Sequence, residues 1–272
     1  MNEKLEKLKD LIKTFGSCVV AYSGGVDSTF LAFITYQILG NKSLAVIADT
    51  PSLPRREFNE AIDIAKKFGF PIKVIKTSEF ENPNYLENSM NRCYFCKHDL
   101  FDDLQQIARS GGYKVILYGE NADDVGDFRP GIKAADEFNA RAPLKEVGLT
   151  KSEIRELSRS IGLPTSDKPQ MACLSTRIPY GEQINMEKLT MIEEAENILR
   201  DMGFSDVRVR HHELKQGLLA RIEVSPNDIK KVFNNGAHLV IGEALKKIGY
   251  NYITIDLLGY RRGSMNEIIG KK

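Results

Sequence analysis

Four short apolar runs govern what this chain can fold into: SCVVAY (17–22), LAVIAD (44–49), IKVI (72–75) and KVILYG (114–119). Segments with helical spacing of apolar residues separate them, the clearest being 29–39 and 55–68. Runs this short, each followed by a helix, predict a parallel sheet covered on both faces, a doubly wound α/β fold. In such folds ligands collect beyond the carboxyl ends of the strands. The N-terminal stretch MNEKLEKLKDLIKTF spaces Leu5, Leu8, Leu11, Ile12 and Phe15 as an amphipathic helix with charges between them, unlike a secretion signal.

From 121 to 183 the text turns rich in Gly, Pro and charge, and one helix is predicted there, 151–161, with Thr150 as N-cap and Glu153 completing a capping box. The rest reads as ordered loops over a site, since loops this long inside a compact protein are usually functional or disordered. Beyond Asn185 a helix (186–202), strands at 207–211 and 218–224, a helix after Ser225-Pro226 and a last strand (252–256) predict a smaller α+β domain. The expected organisation is therefore 1–181 as a nucleotide-type α/β domain and 182–272 as a small α+β domain for substrate binding or oligomerisation. With 272 residues, each part can hold its own apolar core.

The first apolar run ends in SGGVDS, where a strand hands over to a helix. Gly24 and Gly25 let the backbone approach an anion, Ser23 and Ser28 supply hydroxyls, and the helix start offers unpaired N–H groups and a positive dipole end. No lysine follows the glycines, so this is not the GxxxxGK[ST] loop, and phosphoryl transfer of the kinase or GTPase kind is disfavoured. Lys and Arg number 38 against 37 Asp and Glu, a formal charge of +1, which gives no general attraction for a polyanion; extended nucleic-acid binding is not expected. No stretch approaches about 18 uninterrupted apolar residues, so no membrane span is expected and a cytoplasmic enzyme is.

The chain has four cysteines, and two of them stand three apart in NRCYFCKHD. In a reducing compartment such a pair is more often a metal or redox site than a disulfide. Cys93 and Cys96 at a helix start can grip one centre, a third ligand must come from elsewhere, and soft sulfur selects an iron–sulfur cluster, zinc or Cu(I). With His98 a Cys3His zinc site is an alternative, and a thiol/disulfide or persulfide relay another. Cys18, inside the first apolar run, reads as a small buried hydrophobe. The alternation VRVRH puts Arg208 and Arg210 on one strand face, either a clamp for a substrate phosphate or an exposed basic face.

SGGVDS resembles the pyrophosphate loop of the adenine-nucleotide alpha-hydrolase (PP-loop ATP pyrophosphatase) superfamily, whose members cleave ATP between the α and β phosphates to adenylate a substrate. Together with ADTPSLPRREF, NRCYFCK, GENADDVGDFRPG, APLKEVGLTKSEIREL, GLPTSDKPQMACLSTRIPYG and VRVRHHELKQGLLARIEV, most of residues 15–225 is similar to the ATP-dependent sulfur transferase family LarE. The resemblance implies ATP and Mg2+ as cofactors, Ser23, Gly24, Gly25, Asp27 and Ser28 at the pyrophosphate, and Asp27 also at Mg2+. It places AMP by Thr50, Ser52 and Gly119, with Arg56 and Arg129 as candidates for phosphate or carboxylate. The implied reaction is conversion of the carboxylates of pyridinium-3,5-biscarboxylic acid mononucleotide to thiocarboxylates, a step toward the nickel-pincer nucleotide of lactate racemase. In sacrificial members Cys173 would give up its own sulfur; in members with three such cysteines, Cys93, Cys96 and Cys173 would hold a [4Fe-4S] cluster. A homo-oligomer, up to a hexamer, is also implied. The rival readings are a tRNA thiolase with the same loop and a CxxC, an ammonia-using synthetase without its glutaminase, and a non-catalytic nucleotide sensor.

Overall fold

The computed structural model describes residues 2–124, 130–170, 172–261 and 263–264. Its contacts divide the chain into two compact units, Met1–Tyr85 with Asn91–Met171, and Leu86–Met90 with Ala172–Lys272.

The first unit runs α1 (Asn2–Phe15), β1 (Cys18–Ala21), α2 (Val26–Leu39), β2 (Ser43–Ala48), α3 (Arg55–Phe68), β3 (Ile72–Ile75), the short turn α4 (Pro83–Leu86) at its edge, α5 (Arg92–Gly111), β4 (Val115–Tyr118), α6 (Pro130–Glu137), α7 (Pro143–Glu146) and α8 (Lys151–Ser160). The strands form one parallel sheet in the order β3-β2-β1-β4, with Ala21 level with Val46 on one side and Tyr118 on the other. This is the doubly wound sheet expected from the apolar runs. β1 is buried along its whole length. Its residues alternate between two cores: Cys18 and Val20 face Leu8, Ile12, Phe30, Leu31 and Ile64, while Val19 and Ala21 face Phe101, Leu104, Ala108 and Ala134. Burial of a side chain such as Val19 or Val20 contributes about 1.5–3 kcal/mol relative to exposure, so β1 is held from both faces. Because the chain steps outward from β1 to β3 and then returns to β4 on the other side, the strand order reverses between β1 and β4, the switch point at whose carboxyl ends folds of this kind hold their ligands.

Helix α2 is apolar nearly all round, as befits a helix enclosed in a core. Helix α8 begins with the expected capping box: the Thr150 hydroxyl accepts from Glu153 N–H at 3.3 Å, and Thr150 N–H donates to Glu153 Oε2 at 2.8 Å. The 121–183 stretch holds more helix than expected, since α6 and α7 precede α8. Both open on a proline, whose fixed φ suits a first helical turn but reads in sequence as a loop signal.

The second unit contains α9 (Met186–Asp201), β5 (Val207–Leu214), β6 (Gly217–Val224), α10 (Ile229–Phe233), α11 (Ala237–Ile248) and β7 (Tyr252–Ile255). The sheet order is β5-β6-β7, the first pair antiparallel and the second parallel. Its core joins Met191, Ala195 and Leu199 of α9 to Val207, Val209, Ile222 and Leu245. The segment 172–181, grouped in sequence with the first domain, packs in this unit. The cause is local: the 3-10 turn Leu174–Arg177 is bound to α9 through Arg177 and Glu196, and buried Asn88 donates to the carbonyls of Ile178, Pro179 and Glu182 at 3.3, 2.7 and 3.0 Å.

Candidate functional site

The loop Ser23–Ser28 closes the carboxyl end of β1 and starts α2. Gly24 sits at φ +70°, and a Cβ there would lie 2.6 Å from the Cβ of Ala61, so both dihedral and space demand glycine. The two serine hydroxyls meet at 3.0 Å, and Ser28 Oγ also takes Ser23 N–H at 3.2 Å. No side chain caps the first turn of α2, whose N-cap is Gly25. Its N–H groups therefore retain their capacity to bind an anion, as the sequence motif leads one to expect.

β4 contributes through close approach. A Cβ on Gly119 would lie 2.9 Å from Ser28 N and 3.1 Å from Ser28 Cα, so the strand end rests directly on the loop backbone. Two residues on, Asn121 Nδ2 donates to Asp27 Oδ2 at 3.3 Å. The same oxygen takes Lys151 Nζ at 2.6 Å, while Lys151 N–H donates to Asp123 Oδ2 at 2.8 Å. The other oxygen, Asp27 Oδ1, is buried with no hydrogen-bond partner among the described residues. A hard, oxygen-seeking cation such as Mg2+, which is normally held by one or two carboxylates and the phosphates, fits that vacant lone pair. Lys168 adds a second cation: 8% exposed, it pairs with Glu57 and Glu60 at 2.6 and 2.8 Å and reaches Gly24 O at 3.4 Å. No motif in the sequence marks either lysine. The loop does have lysines beside it, brought by folding from α8 and from the segment after it.

The turn after β2 is held by buried hydroxyls. Thr50 Oγ1 and Ser52 Oγ meet at 2.8 Å, and Ser52 donates to Glu79 Oε1 at 2.9 Å. The second oxygen of buried Glu79 accepts the Cys96 thiol at 3.0 Å, so a single carboxylate joins this turn to the CxxC helix. Of the two adjacent arginines, Arg55 and not Arg56 returns to this turn, bonding Asp49 and donating to the carbonyls of Thr50 and Leu53 at 2.6 and 2.9 Å. Arg56 is exposed and lines a shallow surface cavity of about 430 Å³ with Asn59, Glu60 and Asp63. Arg129 lies outside the described residues.

Cys93 and Cys96 are the second and fifth residues of α5, one exposed and one half-buried, and at i, i+3 they share a helix face. Cys173 belongs to the second unit, as N-cap of the Leu174–Arg177 turn. Three thiols are a donor set suited to a soft metal or cluster. Among the described residues, however, no three Cys, His, Asp or Glu side chains are placed together to hold a metal ion, so the set rests on spacing and donor chemistry. His98 stacks edge-on against Phe138 with ring centroids 5.0 Å apart. Cys18 is fully buried in β1, and burial pushes its thiol up to about 12, as befits an inert core residue.

Arg208 and Arg210 do share a face of β5, yet neither is exposed: they are 6% and 5% accessible, which removes the exposed-basic-face alternative. Arg210 donates from Nε and Nη2 to Glu223 Oε2 at 3.0 and 2.6 Å and from Nη1 to Thr176 O at 3.0 Å. Arg208 lies 4.7 Å over the Tyr260 ring and donates to Val207 O at 2.8 Å. Within this unit Arg210 serves a buried ion pair.

A strand–SGGVDS–helix loop at the switch point of a doubly wound parallel sheet defines a nucleotide-binding domain of the PP-loop ATP pyrophosphatase class. Consistently, the pattern of the NAD synthase family matches residues 1–91. The chain is 32% identical over 267 residues to the pyridinium-3,5-bisthiocarboxylic acid mononucleotide synthase of Lactiplantibacillus plantarum, covering 97% of this chain and 92% of that protein. It thus belongs to the family of that synthase, the LarE sulfur transferases. An uncharacterised protein of Synechocystis sp. is 41% identical over 100% of both chains, and one of Methanocaldococcus jannaschii is 32% identical over 95% of this chain and 98% of its own. No described helix is long and apolar enough to cross a membrane.

Proposed function

We propose that this protein is an ATP-dependent sulfur transferase that adenylates the carboxylates of pyridinium-3,5-biscarboxylic acid mononucleotide and converts them to thiocarboxylates. The observation that carries the reading is the end-to-end likeness to a synthase named for that product. The loop geometry supports the first half of the chemistry. A substrate carboxylate attacks the α-phosphate of ATP; pyrophosphate leaves toward Ser23, Gly24, Gly25, Ser28 and the start of α2. Asp27, with its open Oδ1, would hold Mg2+, and Lys151 beside it offsets the charge that collects on the departing pyrophosphate. Thr50, Ser52 and Gly119 line the side assigned to AMP. A sulfur nucleophile then opens the acyl-adenylate, the thiocarboxylate forms, and AMP leaves with the former carboxylate oxygen. Adenylation supplies the leaving group that a bare carboxylate lacks.

Cys93, Cys96 and Cys173 would hold a [4Fe-4S] cluster, which when bound supplies an iron site able to keep sulfide ionised. In a second reading Cys173 gives up its own sulfur and becomes dehydroalanine; it stands as N-cap of the Leu174–Arg177 turn, its carbonyl accepting from Thr176 Oγ1 and N–H at 2.8 and 3.0 Å. Individual alanine variants decide between them. With a cluster, Cys93→Ala, Cys96→Ala and Cys173→Ala all lose iron, visible absorbance and repeated sulfur transfer. With sacrifice, only Cys173→Ala loses transfer, and dehydroalanine accumulates at 173 in proportion to product. The near-zero net charge speaks against the tRNA thiolase reading. The homo-oligomer, up to a hexamer, and the cytoplasmic setting rest on the resemblance and composition.

A further inference from the structure

The turn that carries Cys173 is held by a guanidinium that scarcely reaches solvent. Arg177 is 2% exposed, and its Nε and Nη2 donate to the two oxygens of fully buried Glu196 at 2.8 and 3.1 Å. Its remaining nitrogen, Nη1, donates to the carbonyls of Ala172 and Cys173 at 2.8 and 3.1 Å and lies 3.0 Å from Thr176 Oγ1. Glu196 is itself fixed by Val209 N–H at 3.1 Å and Arg200 Nη2 at 2.8 Å. A strand and a helix of the second unit therefore set the carboxylate, the carboxylate sets the guanidinium plane, and the plane sets the backbone of residues 172–173.

Stability alone does not call for this arrangement. Taking a charged pair out of water costs several kcal/mol per ion, and apolar side chains of similar volume are often as stabilising. What an apolar pair cannot supply is direction: a planar fork with two edges, one locked on Glu196 and the other aimed at the cysteine's backbone. We propose that Arg177 is the positioning residue of Cys173, fixing the direction in which that residue presents its sulfur to the acyl-adenylate. This deepens the function proposed above and rests on Cys173 handling sulfur, by either route.

The test compares Arg177→Lys and Glu196→Gln with wild type and Cys173→Ala in the full-length protein. Lysine keeps the charge beside Glu196 but has no second edge for the Cys173 carbonyl. The readouts are the iodoacetamide alkylation rate of Cys173 against that of Cys93 by mass spectrometry, AMP formation, thiocarboxylate formation and the thermal transition. The expected result for Arg177→Lys is a Cys173 alkylation rate changed about tenfold with Cys93 unchanged, and thiocarboxylate formation down about 100-fold while AMP formation stays within about twofold. Should Arg177→Lys not fold, Glu196→Gln, which weakens the anchor of the fork without emptying its space, carries the same expectation. Wild-type alkylation and transfer in the folded variant would overturn the proposal; so would a lowered transition with AMP and thiocarboxylate falling together, the mark of a brace without a positioning role. An active Cys173→Ala would instead overturn the sulfur-handling reading of Cys173, and the alkylation rates would still report on Arg177.

Discussion

Lys151 Nζ lies 2.6 Å from Asp27 Oδ2 although 124 residues separate the two in the chain. One heads α8 and the other lies in the first turn of α2, so the contact ties two helix starts together at the mouth of the parallel sheet. Both residues should act on the same step. Replacing Lys151 by Ala is expected to lower AMP and pyrophosphate formation about 100-fold, the usual effect of removing one positioned charge donor from a site where charge develops. Asp27→Asn should raise the magnesium concentration needed for half-maximal activity, a shift that Lys151→Ala should not share. A magnesium titration of both variants by AMP release checks the assignment.

Gly119 should tolerate no side chain. A Cβ would meet Ser28 N at 2.9 Å, and backbone cannot yield as a flexible side chain can. Overpacking of this kind typically costs about 1–3 kcal/mol. Gly119→Ala should lower the thermal transition and weaken ATP binding together, because the atom displaced belongs to the phosphate loop. A calorimetric scan reads the first, and calorimetric titration with a non-hydrolysable ATP analogue reads the second.

The parallel sheet and the phosphate loop were legible because each depends on short-range pattern: apolar runs, helix periodicity, and glycines at a strand–helix junction. The parts that were not legible depend on long-range closure. Nothing local distinguishes Lys151 from other lysines that follow a capping threonine, or Arg55 from Arg56, until α3 is seen to turn Arg55 back on Asp49 and the Thr50 carbonyl. Likewise the alternation of β5 correctly put Arg208 and Arg210 on one face, but period-two alternation says nothing of what covers that face. Glu223 on the neighbouring strand and Ser264 near the end of the chain cover Arg210.

Glu79 offers a test of the link between the turn after β2 and the CxxC helix. It is 1% exposed and accepts from Ser52 and Cys96. Glu79→Ala leaves both donors without that acceptor and should destabilise the first unit by about 1–3 kcal/mol. Glu79→Gln, which keeps an acceptor oxygen and the volume, should recover most of the loss in a urea titration.

Stability should fall in mild acid through His211. Burial holds its imidazole down to about 4, below the ordinary value of 6.5; its Nδ1 lies 3.2 Å from the Tyr250 hydroxyl, and the ring is fully buried. The folded state therefore keeps it neutral while the unfolded chain takes up a proton. Its contribution is fully present above pH 6.5 and is lost as pH falls from there toward 4, with a limiting slope of about 1.4 kcal/mol per pH unit. His212, also held down by burial, adds in the same direction. His211→Gln should flatten the dependence of the urea midpoint on pH over this window; an unchanged slope would assign the effect elsewhere.

In the proposed reaction, ATP cleavage between the α and β phosphates drives replacement of a carboxylate oxygen by sulfur on a pyridinium mononucleotide. The most direct measurement incubates anaerobically purified protein with Mg-ATP, sulfide and pyridinium-3,5-biscarboxylic acid mononucleotide, and follows nucleotides and substrate together by mass spectrometry. AMP and pyrophosphate should form in step with mono- and then bis-thiocarboxylate. ADP with phosphate, or AMP formation with an unaltered pyridinium and thiolated tRNA when tRNA is supplied, would contradict it.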